Sequence, residues 1–235
     1  MKTFLKTGCI ICALFLLGAL FYEWLHPEIY ITTSANPDKQ PITRINTEKP
    51  AVALTFETAP GNDNTARILD ILDKYEIHAT FFVTGSWADQ HPDLLKRIAD
   101  SGHDLGNHSE NHKNMKALDI GECRQEIISL HEKVKELTGV EMYLFRPPYD
   151  SCSSQLIQTA TDCGYATVGF DCDSMDWKDY GADAIVNTVC GHPDLENGSV
   201  IRMNCSALYT PDALETIILN LKERGCEFAP LSQYI

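Results

Sequence analysis

The sequence predicts an α/β domain that folds as a distorted (β/α) barrel of about seven strands, preceded by an N-terminal membrane-anchor helix. Apolar runs of strand type alternate with amphipathic segments of helical period about seven times after residue 50. This alternation is compatible with a barrel and with a doubly wound parallel sheet. The barrel is favoured because polar residues follow the apolar cores of successive strands, namely Glu57, His108, Arg146, Asp173 and Asn204. At the carboxyl ends of barrel strands, such residues converge on one mouth.

The individual elements follow from short-range patterns. Short apolar runs predict strands at 51–56, 79–84, 103–109, 144–145, 166–170, 199–203 and 227–231. Apolar residues three and four positions apart predict helices at 62–75, around 94–98, at 120–137, at 155–163 and around 214–221. Gly102, Gly139 and Gly164 follow three of these helices, and glycine is the residue most often found just beyond a helix C-terminus.

Residues 1–25 are predicted to be a signal anchor or a signal peptide. Lys2 and Lys6 precede an uncharged apolar stretch at 7–22. The bulky residues that follow, including Tyr22 and Trp24, make a poor cleavage site, so an uncleaved anchor is favoured. The lysines would keep the N-terminus inside, which predicts a single-pass protein of the cell membrane with its domain outside. Secretion after cleavage is the alternative.

Residues 26–48 are predicted to be a linker, and residues 49–235 the folded domain. The linker region contains three prolines and little apolar periodicity. Of the nine cysteines, seven lie in the domain, and outside the cytoplasm these would be able to form two or three disulfides. The alternative is that they are mostly small buried hydrophobic residues, and the sequence leaves both open.

The charge of the chain limits its partners. The net charge is −14 and no run of lysine or arginine occurs, which argues against nucleic acid. An acidic domain is also repelled by anionic membrane surfaces and polyanions, so membrane contact is expected through the N-terminal segment alone. A neutral or partly cationic polymer fits this charge better.

Five motifs in order indicate one family. They are Thr55-Phe56-Glu57-Thr58, His108-Ser109-Glu110-Asn111-His112, Arg146-Pro147-Pro148-Tyr149, Asp173-Ser174-Met175-Asp176-Trp177 and Val200-Ile201-Arg202-Met203-Asn204. With these motifs, residues 51–235 resemble the polysaccharide deacetylases, the NodB-homology family or carbohydrate esterase family 4. The resemblance implies a NodB-like barrel and hydrolysis of acetamide groups on an N-acetylated polysaccharide such as peptidoglycan.

The resemblance also assigns roles to residues. It implies that His108 and His112 bind a divalent metal, zinc or cobalt, which polarises the amide carbonyl and activates water. It implies that Arg146 keeps the base carboxylate ionised. Tyr149 stands where the family binds the oxyanion through the backbone, and Trp177 matches the tryptophan that walls the sugar groove. His103, which belongs to the same stretch as the pair, is expected to be structural.

Two positions depart from the family pattern. The family has two aspartates in the first motif, a general base and a metal ligand, where this chain has Glu57 and Thr58. Glu57 retains a carboxylate, which would serve as the base or reach the metal, whereas Thr58 supplies no anionic oxygen. A metal would therefore be held by fewer protein groups and more weakly.

The second departure is Asn204, where the family has a histidine that protonates the leaving amine. Asparagine donates a hydrogen bond but does not transfer a proton at neutral pH. Asp176, which holds that histidine in the family, would lose its usual partner, and Tyr209 is a weak candidate for a replacement acid. Two hypotheses follow: a metal-dependent deacetylase of weakened activity, in which Glu57, Arg146, Asp176 and Asn204 form the catalytic group, or a degenerate member that binds glycan without hydrolysing it.

Overall fold

Eight parallel strands form one curled sheet, which the computed structural model describes together with its helices for residues 40–59, 61 and 63–235. In chain order the strands are β1 (Ala51–Glu57), β2 (Thr80–Val83), β3 (Asp104–Asn107), β4 (Leu144–Phe145), β5 (Ala166–Thr167), β6 (Cys172–Asp173), β7 (Val200–Asn204) and β8 (Glu227–Phe228). Their spatial order is β5-β4-β3-β2-β1-β7-β6, and β8 pairs with the beginning of β1. The predicted parallel sheet with outer helices is therefore confirmed, with eight strands where about seven were expected.

The sheet curls without closing by strand pairing. In the described part of the chain, no ladder joins β5 to β6, which are the two ends of the sheet order. The segment before β1 lies near this gap. Ile42 forms a bridge with Val168 beyond β5, and Arg44 forms one with Ser199 before β7. Both residues lie in the region predicted as a linker, so the last part of that region packs against the sheet.

Seven helices connect the strands: α1 (Thr65–Lys74), α2 (Gly85–Gln90), α3 (Pro92–Asp100), α4 (Ile120–Thr138), α5 (Ser154–Asp162), α6 (Ala182–Cys190) and α7 (Thr210–Glu223), counted over the described residues. The longest, α4, is well defined at both ends. Asp119 and Glu122 form a reciprocal capping box at its start, and Gly139, at φ 76°, ends it in the left-handed conformation.

The alternation of side chains along β1 separates the two faces of the sheet. Val52, Leu54 and Phe56 pack into the main hydrophobic cluster between sheet and helices. Ala53 belongs to a smaller inner cluster with Phe82, and Thr55 and Glu57 share its side of the strand. The inner face thus becomes polar toward the carboxyl end of β1, and this is where the candidate site lies.

The seven described cysteines are all free thiols. Cys123, Cys172 and Cys205 are buried, and the other four are half-buried. Burial raises the pKa of Cys172 to about 12, as expected for an unreactive apolar side chain. The structure supports the prediction of small buried residues and not that of two or three bridges.

Within the described residues, no helix is both long and apolar enough to cross a bilayer. The predicted anchor at 1–25 lies outside the described residues, as does most of the predicted linker.

Candidate active site at the mouth of the barrel

Polar residues from four strands meet at the carboxyl edge of the sheet, as the sequence predicted. Glu57 ends β1 and is the register partner of Asn204, which ends β7. His108 directly follows β3, and Arg146 directly follows β4. These four positions lie at the carboxyl ends of β4, β3, β1 and β7 in one parallel sheet, so their side chains share one mouth.

Arg146 is fixed inside the barrel beneath this mouth. Its side chain is 2% exposed, and its Nη1 lies 3.3 Å from Glu57 Oε1 and 2.9 Å from Thr55 Oγ1. Its Nη2 donates to the Gly169 carbonyl at 2.8 Å, and the guanidinium lies 4.1 Å from the centre of the Phe82 ring. These contacts satisfy a buried cation from several sides and aim it at the carboxylate.

Glu57 is ionised at neutral pH. Burial opposes its charge, but the positive groups around it outweigh burial and keep the pKa of Glu57 below its ordinary value. His108 is uncharged at neutral pH because burial lowers its pKa to about 4. The attraction at that pH therefore comes from Arg146 and Arg202.

His108 presents a free lone pair to the carboxylate. Its Nδ1 lies 2.7 Å from the Arg146 carbonyl oxygen, which only accepts, so Nδ1 carries the proton and Nε2 does not. Nε2 lies 3.8 Å from Glu57 Oε2. Two electron-rich atoms thus face each other with no proton between them, an arrangement suited to a cation or a bridging water.

His112 is held beside His108 by a tightly turned loop. Ser109 and His112 both have positive φ, 68° and 52°, and the Ser109 hydroxyl accepts from the His112 N–H at 3.0 Å. Glu126 of α4 accepts from the Asn111 N–H at 2.7 Å. The two imidazole centres lie 5.0 Å apart. Burial lowers the pKa of His112, so both rings are neutral ligands at neutral pH.

Thr58 is not available as a third ligand. It is fully buried, and its hydroxyl accepts a hydrogen bond from the Thr84 N–H at 3.2 Å. Among the described residues, no set of three or more His, Cys, Asp or Glu side chains is arranged to hold a metal ion. The donors present therefore fit a divalent cation held by His108 and His112 with water, and lack the third protein ligand that the family has, in line with the expectation from the sequence.

Asp176 has a partner in Asn204, although the histidine it would hold in the family is missing. Its carboxylate accepts from the Asn204 backbone N–H at 2.6 Å and from Nδ2 at 2.7 Å, and from the Thr210 hydroxyl at 2.6 Å. The bond from Nδ2 fixes the side-chain amide of Asn204. Its oxygen and its second N–H remain available for hydrogen bonds, but an amide has no proton to transfer at neutral pH. Tyr209, the weak candidate for an acid, is half-buried and packs against the main core.

The two residues expected to contact substrate are exposed at the mouth. The Tyr149 ring is 66% exposed, and its centre lies 4.7 Å from that of His112. Trp177 is 53% exposed, which is inconsistent with a role as core filler. His103 is buried, and its Nδ1 accepts from the Ala79 N–H at 3.1 Å, which agrees with the expected structural role.

Comparison with known proteins agrees with this geometry. The family model for polysaccharide deacetylase matches residues 44–168. The chain belongs to the polysaccharide deacetylase family. It is 36% identical over 187 residues to the peptidoglycan-N-acetylglucosamine deacetylase of Bacillus cereus, an alignment that covers 78% of this chain and 67% of that protein. The enzymes of this family, among them this relative, are hydrolases of carbon–nitrogen bonds other than peptide bonds.

Solved structures of this family include enzymes and a pseudoenzyme. A peptidoglycan N-acetylglucosamine deacetylase matches with a TM-score of 0.78 and 34% identity, covering 83% of this chain and 92% of that one. A pseudoenzyme of carbohydrate esterase family 4 from Bacillus anthracis also matches with a TM-score of 0.78, at 31% identity, covering 83% of this chain and 69% of that one. A mutant of that pseudoenzyme has restored enzymatic activity.

Some residues of the candidate site were not predicted from the sequence. Thr55 bonds the Arg146 guanidinium, and its own hydroxyl donates to the Ile201 carbonyl at 2.7 Å. Arg202 contributes positive charge while paired with Asp173 at 3.0 Å. The two-residue alternation of β1 places Thr55 on the same face as Glu57, so a reading by strand face would have found it. The same alternation along β7 places Arg202, the register partner of Thr55, on the same face as Asn204.

Proposed function

We propose that this domain removes acetyl groups from amino sugars of a cell-wall polysaccharide, with peptidoglycan as the substrate class. The observation that carries the proposal is an ionised Glu57, bonded to a buried Arg146 and facing the unprotonated Nε2 of His108 at 3.8 Å. The names of the relatives support the substrate class, and the net charge of −14 favours a neutral glycan over a polyanion.

Glu57 is the general base in this proposal. It takes a proton from water as the water oxygen attacks the acetamide carbonyl carbon. When bound by His108 and His112, a zinc or cobalt ion would polarise the carbonyl and acidify water. Arg146 keeps Glu57 charged, but the same interaction lowers the basicity of the carboxylate. Glu57 is therefore a weak base that is always in the correct protonation state at neutral pH.

The leaving amine must receive a proton when the carbon–nitrogen bond breaks. Asn204 does not supply it, so Glu57 returns to the nitrogen the proton that it took from water. The second proton of the water stays on the new carboxyl group, so the products are the amine and acetic acid, which at neutral pH become an ammonium group and acetate. Loss of a separate general acid costs about 10²- to 10⁴-fold in rate. We thus propose a slow deacetylase.

Acetate release tests the proposal. The full chain is incubated with N-acetylglucosamine oligomers and added zinc or cobalt, beside the variant His108→Ala. We expect release by the wild-type chain that rises with metal concentration and is lost in the variant. Absence of release at every metal concentration, with glycan binding retained, would overturn hydrolysis. The metal bound after purification provides a separate readout, which the double histidine variant should lose.

The second candidate is glycan binding without hydrolysis. It is favoured by one specific arrangement, the Asn204 amide bonded to Asp176 in the place of a general acid. The similarity to a pseudoenzyme of the same family also supports it. Retained glycan binding without acetate release would establish this alternative.

We also propose that residues 1–25 keep the domain at the outer face of the cell membrane, with secretion as the alternative. The two lysines before the apolar stretch at 7–22 support this orientation. Protease added to intact cells should degrade the domain. Its protection until the cells are lysed would contradict the orientation.

A further inference from the structure

The loop that carries His112 is fastened to helix α4 from two sides. It runs from His108 to Lys113 and is here called the histidine loop. Ser109 and His112 both have positive φ in this loop, 68° and 52°, a conformation that costs energy in non-glycine residues and has to be held by the surroundings. The proposed reaction uses no side chain of α4, so the contacts of this helix with the loop are not explained by catalysis.

Glu126 of α4 is the contact on one side. Its side chain is 4% exposed. Its Oε2 accepts from the Asn111 N–H at 2.7 Å, and its Oε1 accepts from Asn111 Nδ2 at 3.0 Å. The Lys113 ammonium lies 2.9 Å from Oε1, and the Glu126 carbonyl accepts from the Glu110 N–H at 3.0 Å. Glu126 therefore bonds the residues on both sides of His112.

Glu126 is ionised at neutral pH. Burial alone would raise its pKa, but the hydrogen bonds from Asn111 and Lys113 outweigh burial and keep the pKa of Glu126 below its ordinary value. A buried charge is tolerated where it is paired and hydrogen-bonded. Among the described residues, the partners of this carboxylate all belong to the histidine loop. The buried charge therefore stabilises the loop in one conformation.

Lys133 of α4 is the contact on the other side. Its Nζ lies 2.5 Å from Glu110 Oε1 and 2.7 Å from Asp89 Oδ2. The Gly85 N–H, at the start of α2, donates to the Ser109 carbonyl at 3.1 Å. A Cβ at Gly85 would overlap the Glu110 carboxylate, so glycine is needed for this close approach. The histidine loop thus lies between α2 and α4 and bonds both.

The two imidazoles are fixed by different means. His108 directly follows β3, and its Nδ1 donates to the Arg146 carbonyl at 2.7 Å. In the described part of the chain, the His112 ring has no hydrogen-bond partner, and only its backbone N–H is bonded, to the Ser109 hydroxyl at 3.0 Å. The Tyr149 ring beside it is 66% exposed and restrains it little. The position of the His112 ring therefore depends on the backbone of the histidine loop.

We propose that Glu126 is a positioning residue, which holds His112 where it binds a divalent cation together with His108. This rests on the proposed function for the presence of the cation. Thr58 supplies no third ligand, so the affinity depends on how well the two imidazoles are arranged before the cation arrives. Without the bonds from Glu126 the histidine loop gains conformational freedom, and the cost of ordering His112 then weakens cation binding.

Zinc binding by the full chain, measured by calorimetry at neutral pH, tests the proposal. The heat that remains in the double histidine variant is subtracted. We expect Glu126→Gln to weaken zinc binding about tenfold, because an amide keeps the size of the side chain but has one acceptor oxygen. Glu136→Gln, the same change at an exposed position of α4, should stay within twofold of wild type. So should Val134→Ala, which removes buried packing from α4 and controls for lost stability.

Less than threefold weakening by Glu126→Gln, equal weakening by either control, or no zinc binding by the wild-type chain would overturn the positioning role. If urea unfolding shows that Glu126→Gln does not fold, Asn111→Ala takes its place. This variant removes one of the two bonds from Asn111 to Glu126 and should weaken zinc binding about threefold, as expected for one hydrogen bond. Unchanged affinity would then overturn the role.

The outcomes also separate the positioning role from the proposed reaction. If zinc binding depends on Glu126 but no acetate is released, the positioning role stands and hydrolysis fails. If acetate is released and zinc binding is independent of Glu126, hydrolysis stands and the positioning role fails.

Discussion

Replacing Arg146 by methionine removes the cation on which the charge of Glu57 depends. The guanidinium is 2% exposed and bonds Glu57, Thr55 and the Gly169 carbonyl. Removing one partner of a buried pair leaves an uncompensated charge and costs about 3–5 kcal/mol. We therefore expect Arg146→Met to lower the free energy of unfolding by that amount at pH 7.

The loss should depend on pH in a defined direction. In the wild-type chain the pKa of Glu57 is lowered, so its interactions stabilise the fold above the unfolded pKa and are lost as pH falls through the folded pKa. In Arg146→Met, burial dominates and raises the pKa of Glu57, so the carboxyl becomes protonated as the solution is acidified. The difference from wild type should therefore shrink between pH 7 and about pH 4.

Urea unfolding of both proteins at pH 7 and pH 4 measures this difference. Arg67→Met is the control, because Arg67 pairs with Asp212 at 2.7 Å with both side chains about half exposed. Exposed pairs contribute about 0–1 kcal/mol. A loss for Arg146→Met that is the same at both pH values, or no larger than that of Arg67→Met, would refute the account of Glu57.

The remaining predictions concern the two departures and the histidine pair. Thr58→Asp should tighten zinc binding at least about tenfold, measured by calorimetry. The new carboxylate would supply an anionic ligand in place of the hydroxyl that now accepts from the Thr84 N–H. Unchanged affinity would show that position 58 does not face the metal. Asn204→His should raise the acetate-release rate about 10²- to 10⁴-fold, with Asp176 as partner; an unchanged rate would show that proton donation is not limiting. The pKa of His108 is about 4 in the folded chain, so the free energy of unfolding should decline as pH falls from 6.5 to 4. His108→Gln should flatten that decline, measured by urea unfolding. An unaltered dependence on pH would contradict the burial of a neutral ring.

The position of the candidate site could be predicted from the sequence because the residues involved lie at strand ends. Alternation along β1 places Glu57 on the inner face, and the apolar runs before His108 and Arg146 locate their strands. Parallel pairing then brings these ends together whatever their separation in sequence. This is why residues 89 positions apart, Glu57 and Arg146, were predicted to meet.

Other features depended on contacts that no local pattern reveals. Strand β6 (Cys172–Asp173) has only two residues, and one of them is charged, so no apolar run in the sequence identifies it. The strand is defined by its pairing with β7. Helix α6 (Ala182–Cys190) was also not predicted. The sequence shows that position 58 has no carboxylate, but only the fold shows that the Thr58 hydroxyl already accepts a hydrogen bond from the Thr84 N–H.

Asp176 shows a different limit. Its family partner is absent from the sequence, which suggested an unpaired carboxylate. In the fold, the backbone and side chain of Asn204 and the Thr210 hydroxyl satisfy both oxygens. Burial raises the pKa of Asp176, while these hydrogen bonds act in the opposite direction. Asp176 therefore connects its own loop to the end of β7 and to the start of α7.

The rate of acetate release by the wild-type chain and by Glu57→Gln tests the central claim most directly. Glutamine has nearly the same size and accepts no proton, so it removes the base and leaves the shape of the mouth. With an N-acetylglucosamine oligomer and saturating zinc, we predict release by the wild-type chain and a decrease of at least about 10²-fold in Glu57→Gln. Equal rates for the two proteins, or no release by the wild-type chain with zinc or cobalt, would contradict it.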